Sequence, residues 1–194
     1  MRIKAIAVCA NSHGAGKTTF ANFVVNCLYR THWKDVSLAS VISFAAPLKN
    51  MARILCAAMG VDLDSADKEK PLAELFGRSP RYLYRTLGLD WGRKLVHPDL
   101  WTRCLLLSAE RHARLGGVSV VDDMRYKNEY DALKAAKVVT VYVNRPDCPE
   151  DPEEPKEITP EMCDVVIQNT GTLKDLEQRA KDFTAKYVKG GKDE

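Results

Sequence analysis

Asn11-Ser12-His13-Gly14-Ala15-Gly16-Lys17-Thr18 lies between an apolar run and a helical repeat. Glycines in such a loop let successive backbone N–H groups converge on one anion, and the N-terminus of the next helix adds a favourable dipole. In that arrangement Lys17 reaches the β- and γ-phosphates of a nucleoside triphosphate, and the Thr18 hydroxyl, followed by Thr19, meets the magnesium ion that bridges them. Asn11 replaces the first glycine of the usual pattern, and asparagine tolerates the unusual backbone angles that would keep the turn. His13 has no acid beside it in sequence, so it is read as shaping the loop or touching a phosphate. The competing reading is a structural turn without nucleotide affinity.

A second constellation follows the apolar run Val118-Ser119-Val120-Val121, where Asp122-Asp123 is succeeded by Met124-Arg125. Sites in parallel sheets gather at the carboxyl ends of strands, where carboxylates can hold a metal or a substrate. Asp122 is the candidate for the metal with Thr18. Asp123 is preferred for direct chemistry, with Arg125 facing the transferred phosphate; alternatively one of the two acids caps the next helix. A third cluster is cationic and aromatic: Arg78, Arg81, Arg85, Arg93 and Lys94 with Tyr82, Tyr84 and Trp91. Arginine forks suit a phosphomonoester and aromatic faces suit a base, although a solvated helix with aromatic core residues explains the same pattern. Arg145 opens a proline- and acid-rich stretch from which it could close over a nucleotide, or form an ordinary surface ion pair.

The elements that position these groups alternate strand and helix. Strands are expected at 3–10, more weakly at 36–39, and at 118–121, 138–143 and 165–167. Helices are expected over 18–30, from Pro47 to Met59, over Pro80–Leu87 with a stop at Gly88, over 99–115, 128–136 and through Leu173, Leu176, Ala180 and Phe183. The pattern indicates an α/β fold with a mainly parallel sheet of four or five strands, helices covering both faces. At 194 residues the length suits one domain, here 1–188 with a frayed tail at 189–194, a helical region at about 46–98 and a flap at about 145–161.

Composition narrows the class. With 45% hydrophobic and 28% charged residues, the chain can build a core and is not disordered throughout. No apolar run approaches a membrane span and no export signal precedes Asn11, so a cytoplasmic protein is expected. Six cysteines without a C-x-x-C pair read as reduced thiols, and the scattered histidines do not suggest zinc. The net charge of +3 is unevenly spread: 145–161 holds seven acids against Arg145 and Lys156, a net −5, which leaves +8 elsewhere. A basic body of that kind attracts phosphorylated metabolites or nucleic acid.

Phe44-Ala45-Ala46-Pro47-Leu48-Lys49, Pro80-Arg81 through Leu87-Gly88 with Arg93, Trp101, and Asp123-Met124-Arg125-Tyr126-Lys127-Asn128-Glu129 add to the cradle. Together, over roughly residues 3–145, the chain resembles the bacteriophage deoxynucleoside monophosphate kinases of the P-loop nucleoside monophosphate kinase superfamily. The resemblance implies a three-layer P-loop kinase fold, most simply with five strands, and ATP-dependent transfer to the 5′-phosphate of a deoxynucleoside monophosphate. It implies Lys49, Arg81 and Arg93 as acceptor contacts, with Arg85 in the same cluster, Asp123 and Arg125 at the catalytic centre, and a homodimer. The sequence departs from the family in having Ala46 where aspartate is usual, and a proline-acid segment in place of a histidine-containing one. Two alternatives stand beside this reading. One is a phage P-loop kinase that phosphorylates hydroxymethyluracil in DNA; the other is a nucleotide-binding switch without kinase activity.

Overall fold

The structure is a computed structural model describing residues 5–31, 39–149 and 155–187. The expected strand residues 3–4 and 36–38, the middle of the flap and the tail from 188 lie outside the described residues. Five strands, β1 (Ala5–Ala10), β2 (Ala39–Ile42), β3 (Val118–Val121), β4 (Val139–Asn144) and β5 (Val165–Gln168), form one sheet in the order β2-β3-β1-β4-β5. Every pairing is parallel. The helices are α1 (Lys17–Thr31), α2 (Ala46–Ala57), α3 (Pro80–Arg85), α4 (Leu100–Arg114), α5 (Lys127–Ala135) and α6 (Leu173–Tyr187). The result is the expected three-layer α/β architecture with a parallel five-stranded sheet.

The chain divides into two compact units, one made of residues 1–43 and 105–194, the other of 44–104. In the first, alternation along β1 sends Ile6 and Val8 to one side of the sheet and Ala7 and Cys9 to the other. Ile6 and Val8 join Val120, Val141, Val143 and Ile167 in a core closed by α1 and α6. Along α1, Phe20, Ala21, Val24, Val25 and Leu28 recur at three- to four-residue spacing, so one stripe is buried. Phe20 meets Phe183 of α6 edge-on at 5.7 Å between ring centroids. On the opposite side α5 packs by way of Leu133, 1% exposed, and Lys134 of α5 pairs with Asp164 at 2.6 Å. Asp164 in turn accepts from the N–H and hydroxyl of Thr140, both at 2.8 Å.

The second unit has its own smaller core. Leu48, Ala52 and Cys56 line the inner stripe of α2, and Ala52 and Cys56 pack with Leu63 and Leu75. The spacing puts Leu48, Met51, Ala52, Leu55 and Met59 on one face of this helix; Leu48 and Ala52 are buried as expected, but Met51 and Leu55 are 38% and 49% exposed. Cys56 completes the buried stripe. Ser79 caps α3 by accepting from the Tyr82 N–H at 3.2 Å, and Pro80 occupies the first turn.

Contrary to expectation, the helix does not stop at Gly88. It continues as a π-helix over Thr86–Val96, and the His97 N–H reaches the Gly92 carbonyl five residues back at 3.0 Å. The glycines serve a neighbour rather than a cap. The Trp101 indole donates to the Gly88 carbonyl at 2.9 Å. A Cβ on Gly92 would lie 2.5 Å from the same ring, closer than any side chain allows. No described helix is long and apolar enough to cross a membrane.

Candidate functional site

β1 runs directly into the loop 11–16, and α1 begins at Lys17. Gly14 and Gly16 have φ of 83° and 99°, angles that side chains rarely adopt, so the loop's path depends on glycine at these positions. Gly16 is restricted twice over. A Cβ there would stand 2.8 Å from the Asn169 amide nitrogen, which itself donates to the Ala15 carbonyl at 2.9 Å. Lys17 is only 8% exposed, and its ammonium donates to the Ser12 carbonyl at 3.2 Å. An ammonium, a helix N-terminus and two glycine turns thus converge on the loop, which is what a cradle for polyphosphate requires.

Parallel pairing of β1 with β3 brings the end of β3 beside this loop. The consequence is a contact between residues 104 apart in sequence: the Thr18 hydroxyl donates to the Asp122 carboxylate at 2.7 Å. Asp123 and Arg125 are half-buried on the same connection, around a fully buried Met124. Glu129, 1% exposed, holds that connection in shape, because one of its carboxylate oxygens accepts the N–H of Arg125 at 2.8 Å and of Tyr126 at 3.1 Å. The carboxylate sits in the first turn of α5, where the helix dipole favours it.

A model for the family described as deoxynucleotide monophosphate kinase matches residues 73–180. The chain belongs to that family. The match begins downstream of the cradle, so the assignment rests on the sequence from Ala73 through β5 and into α6, not on the widely shared phosphate loop. A protein of Acanthamoeba polyphaga mimivirus named "Putative deoxynucleotide monophosphate kinase" is 26% identical over 182 residues, covering 84% of this chain and 87% of the relative. The relationship is to this family with a viral relative and is not specific to its bacteriophage branch. Among solved structures, the Mycobacterium tuberculosis APS kinase CysC in complex with AMPPNP and APS is 13% identical, with 94% of this chain and 98% of that one covered at a TM-score of 0.47. Its Cys556Ala mutant is 14% identical, with 94% and 99% covered at 0.45. As a member of the deoxynucleotide monophosphate kinase family, the chain is a P-loop kinase-type phosphotransferase.

Relative to the sequence expectations for a deoxynucleotide monophosphate kinase, the cradle residues differ in detail. Asn11 does not have a left-handed backbone. Its amide instead clasps the main chain of Arg145: the nitrogen donates to the Arg145 carbonyl at 2.9 Å, and the oxygen accepts the Arg145 N–H at 3.1 Å. Ser12, buried, donates its hydroxyl to the Pro149 carbonyl, and the Cys148 thiol donates to the His13 carbonyl at 3.0 Å. His13 and Arg145 are themselves exposed. The first residues of the expected flap, 145–149, are therefore fastened along the cradle.

The acceptor candidates belong to the second unit. Lys49 is exposed on α2, Arg81 and Arg85 lie on α3, and Arg93 lies in the π-helix. Arg81 pairs with Glu69 at 3.1 Å, with solvent reaching both side chains. Arg93 donates to the Pro98 carbonyl at 3.3 Å, and the Arg78 guanidinium lies 4.6 Å from the centroid of the Tyr82 ring.

Sequence reasoning missed Asn169 and gave Glu129 no role. Asn169 closes β5 with its N–H on the Asn144 carbonyl at 2.7 Å while its side chain braces Ala15. A polar residue just past an apolar strand is too common to single it out. Glu129 carried a usable signal, a glutamate three positions after Tyr126 at the start of α5, the place where a side chain can return to the backbone N–H groups ahead of a helix.

Proposed function

We propose that this chain transfers the γ-phosphoryl group of ATP to the 5′-phosphate of a deoxynucleoside monophosphate, giving the diphosphate and ADP. The observation that carries this reading is the 2.7 Å contact of Thr18 with Asp122, in a chain whose family match is to deoxynucleotide monophosphate kinases. A hydroxyl and a carboxylate set together beside a phosphate loop are hard oxygen donors that suit Mg2+. Bound between Thr18 and Asp122, the ion would offset negative charge on the transferred group.

The residues of the chain divide the remaining work. Asn11, Ser12, His13, Gly14, Ala15 and Gly16 wrap the phosphates, Lys17 neutralises them, and Thr19 extends the helix that follows. An acceptor oxygen bonds to the γ-phosphorus as the bond to the ADP oxygen breaks, so positioning and charge neutralisation are the protein's main contributions. A phosphate monoester is largely ionised near neutral pH, its second pKa being about 6. The acceptor then needs no base; Asp123 orients the acceptor or metal-bound water, while Arg125 and Arg145 offset charge on the transferred phosphoryl group. Lys49, Arg81, Arg85 and Arg93 hold the monophosphate. The units work as one kinase domain, with the acceptor region at about 46–98 and the flap at about 145–161.

The test supplies the purified chain and magnesium with labelled ATP and, separately, each of the four deoxynucleoside monophosphates, the ribonucleotides, and DNA containing hydroxymethyluracil. The expected product is a labelled deoxynucleoside diphosphate. Label entering only the DNA, or ATP binding without any labelled acceptor, overturns the proposal.

A further inference from the structure

Two cysteines far apart in sequence meet on the α5 side of the sheet. The thiols of Cys9, in β1, and Cys163, just before β5, lie 3.6 Å apart, and neither is in a disulfide. Cys9 is 2% exposed in a central strand, whereas Cys163 is half-buried and follows the short turn Pro160–Met162 at the edge of the sheet. A disulfide needs its sulfurs at about 2.05 Å, so closure asks for roughly 1.5 Å of movement. One partner is fixed in the sheet; the other lies where an edge strand and a turn can give. The two thiols also differ chemically. The contact with the Cys9 thiol lowers the Cys163 pKa, opposed by burial and by the neighbouring Asp164 carboxylate, with the Thr140 hydroxyl and the Lys134 ammonium lowering it further. The same contact, together with burial, raises that of Cys9. Ionisation is therefore favoured at Cys163, the half-buried member of the pair, over Cys9 within the sheet, which suits an oxidisable pair.

We propose that Cys9 and Cys163 form a reversible disulfide when the protein meets a peroxide. The Cys163 thiolate attacks one peroxide oxygen, the O–O bond breaks, and the departing hydroxide takes a proton to leave as water. The Cys9 sulfur then attacks the resulting sulfenic acid, the S–O bond breaks, and a second water carries away the Cys9 proton. Two thiols lose two electrons and the peroxide gains them. The bond ties the strand that feeds the phosphate cradle to the edge strand whose far end carries Asn169, the brace on Ala15.

The experiment treats the reduced full chain with hydrogen peroxide, alkylates the remaining thiols under denaturing conditions and maps peptides by mass. A Cys9–Cys163 peptide pair lighter by two hydrogen masses is expected, with loss of both alkylation sites and their return after dithiothreitol. Cys148→Ser should keep this pair. Cys163→Ser should abolish it and leave Cys9 alkylated, and Cys9→Ser should leave Cys163 as a sulfenic acid that a dimedone probe captures. Should Cys9→Ser fail to fold, the half-buried Cys163→Ser still decides. Cys9 remaining fully alkylatable while Cys163 advances to sulfinic acid, or a bridge from either residue to Cys148, overturns the proposal.

Discussion

The cradle and the cationic cluster of the second unit both present positive charge, but they are built differently. Around the cradle, contacts run between residues more than a hundred positions apart and end mostly on backbone atoms: Asn169 on Ala15, Asn11 on Arg145, Ser12 on Pro149. Each bond fixes the path of the chain, so the loop is held before any ligand arrives. In the second unit, Arg81 finds Glu69, Arg93 finds Pro98 and Arg53 finds Asp64, all within thirteen residues and open to solvent. Exposed pairs of this kind contribute little to stability. Such pairs exchange partners at small cost, so the two regions differ in preorganisation more than in charge.

The largest effect that would test this contrast is expected from Lys17→Met. Methionine keeps an unbranched chain in a position that is 8% exposed but removes the charge proposed to neutralise the phosphates. Turnover should fall by at least about 10²–10³-fold, the usual loss for a preorganised electrostatic group, with the circular dichroism spectrum unchanged. Phosphoryl transfer at the original rate would defeat the assignment of the cradle.

A smaller loss, and one confined to the nucleotide, should come from Gly16→Ala. Here φ of 99° and the Asn169 amide both oppose a side chain. A backbone strain of roughly 1–3 kcal/mol should weaken ATP binding by about tenfold or more, measured by calorimetric titration. The acceptor KM should hold. Affinity equal to the parent would mean that the loop is less rigid than the cradle contacts indicate.

Arg93→Ala examines the other side of the comparison. The KM for the deoxynucleoside monophosphate should rise by about tenfold, as expected for one charge-assisted hydrogen bond, and that for ATP should stay near its original value. Parallel rises in both constants would dissolve the distinction between the regions. Unchanged kinetics would remove Arg93 from the acceptor side.

The same contrast explains which features were legible in the sequence. The cradle motif, the stripe along α1 and the strands β1, β3, β4 and β5 announce themselves through local spacing. So does Asp122, once β1 and β3 are taken as parallel neighbours. What local spacing cannot carry is the identity of a partner. Asn11 was read for its own backbone, whereas its amide serves Arg145. Gly88 looked like a helix stop until Trp101, thirteen residues on, required its carbonyl and the bare surface of Gly92. On α2 the apolar residues fill more than one face, so the pattern placed Leu48 and Ala52 inward correctly but could not reveal that Cys56, rather than Met51 and Leu55, joins them. In the second unit the motif residues were visible, but their surface pairing with Glu69 and Pro98 leaves no local pattern to read.

The smallest effect belongs to Asp164→Asn, which probes a pairing outside both regions. Burial pushes this carboxyl up, but the Lys134 ammonium and the N–H and hydroxyl of Thr140 outweigh it, so its pKa lies below the ordinary value of 3.8. A carboxyl whose folded pKa is depressed stabilises the protein above its unfolded value, and that contribution is lost as pH falls through the folded one. Because solvent reaches more than a third of both charged side chains, screening limits the contribution to about 1 kcal/mol. The melting temperature of Asp164→Asn should therefore lie a few degrees below that of the parent near neutral pH, and the gap should shrink as the pH drops below about 3.8. Both KM values should be unaffected at neutral pH. A gap that stayed constant into acid would show that asparagine disturbs packing rather than charge, and a raised KM for ATP would extend the cradle's rigid network to the foot of β5.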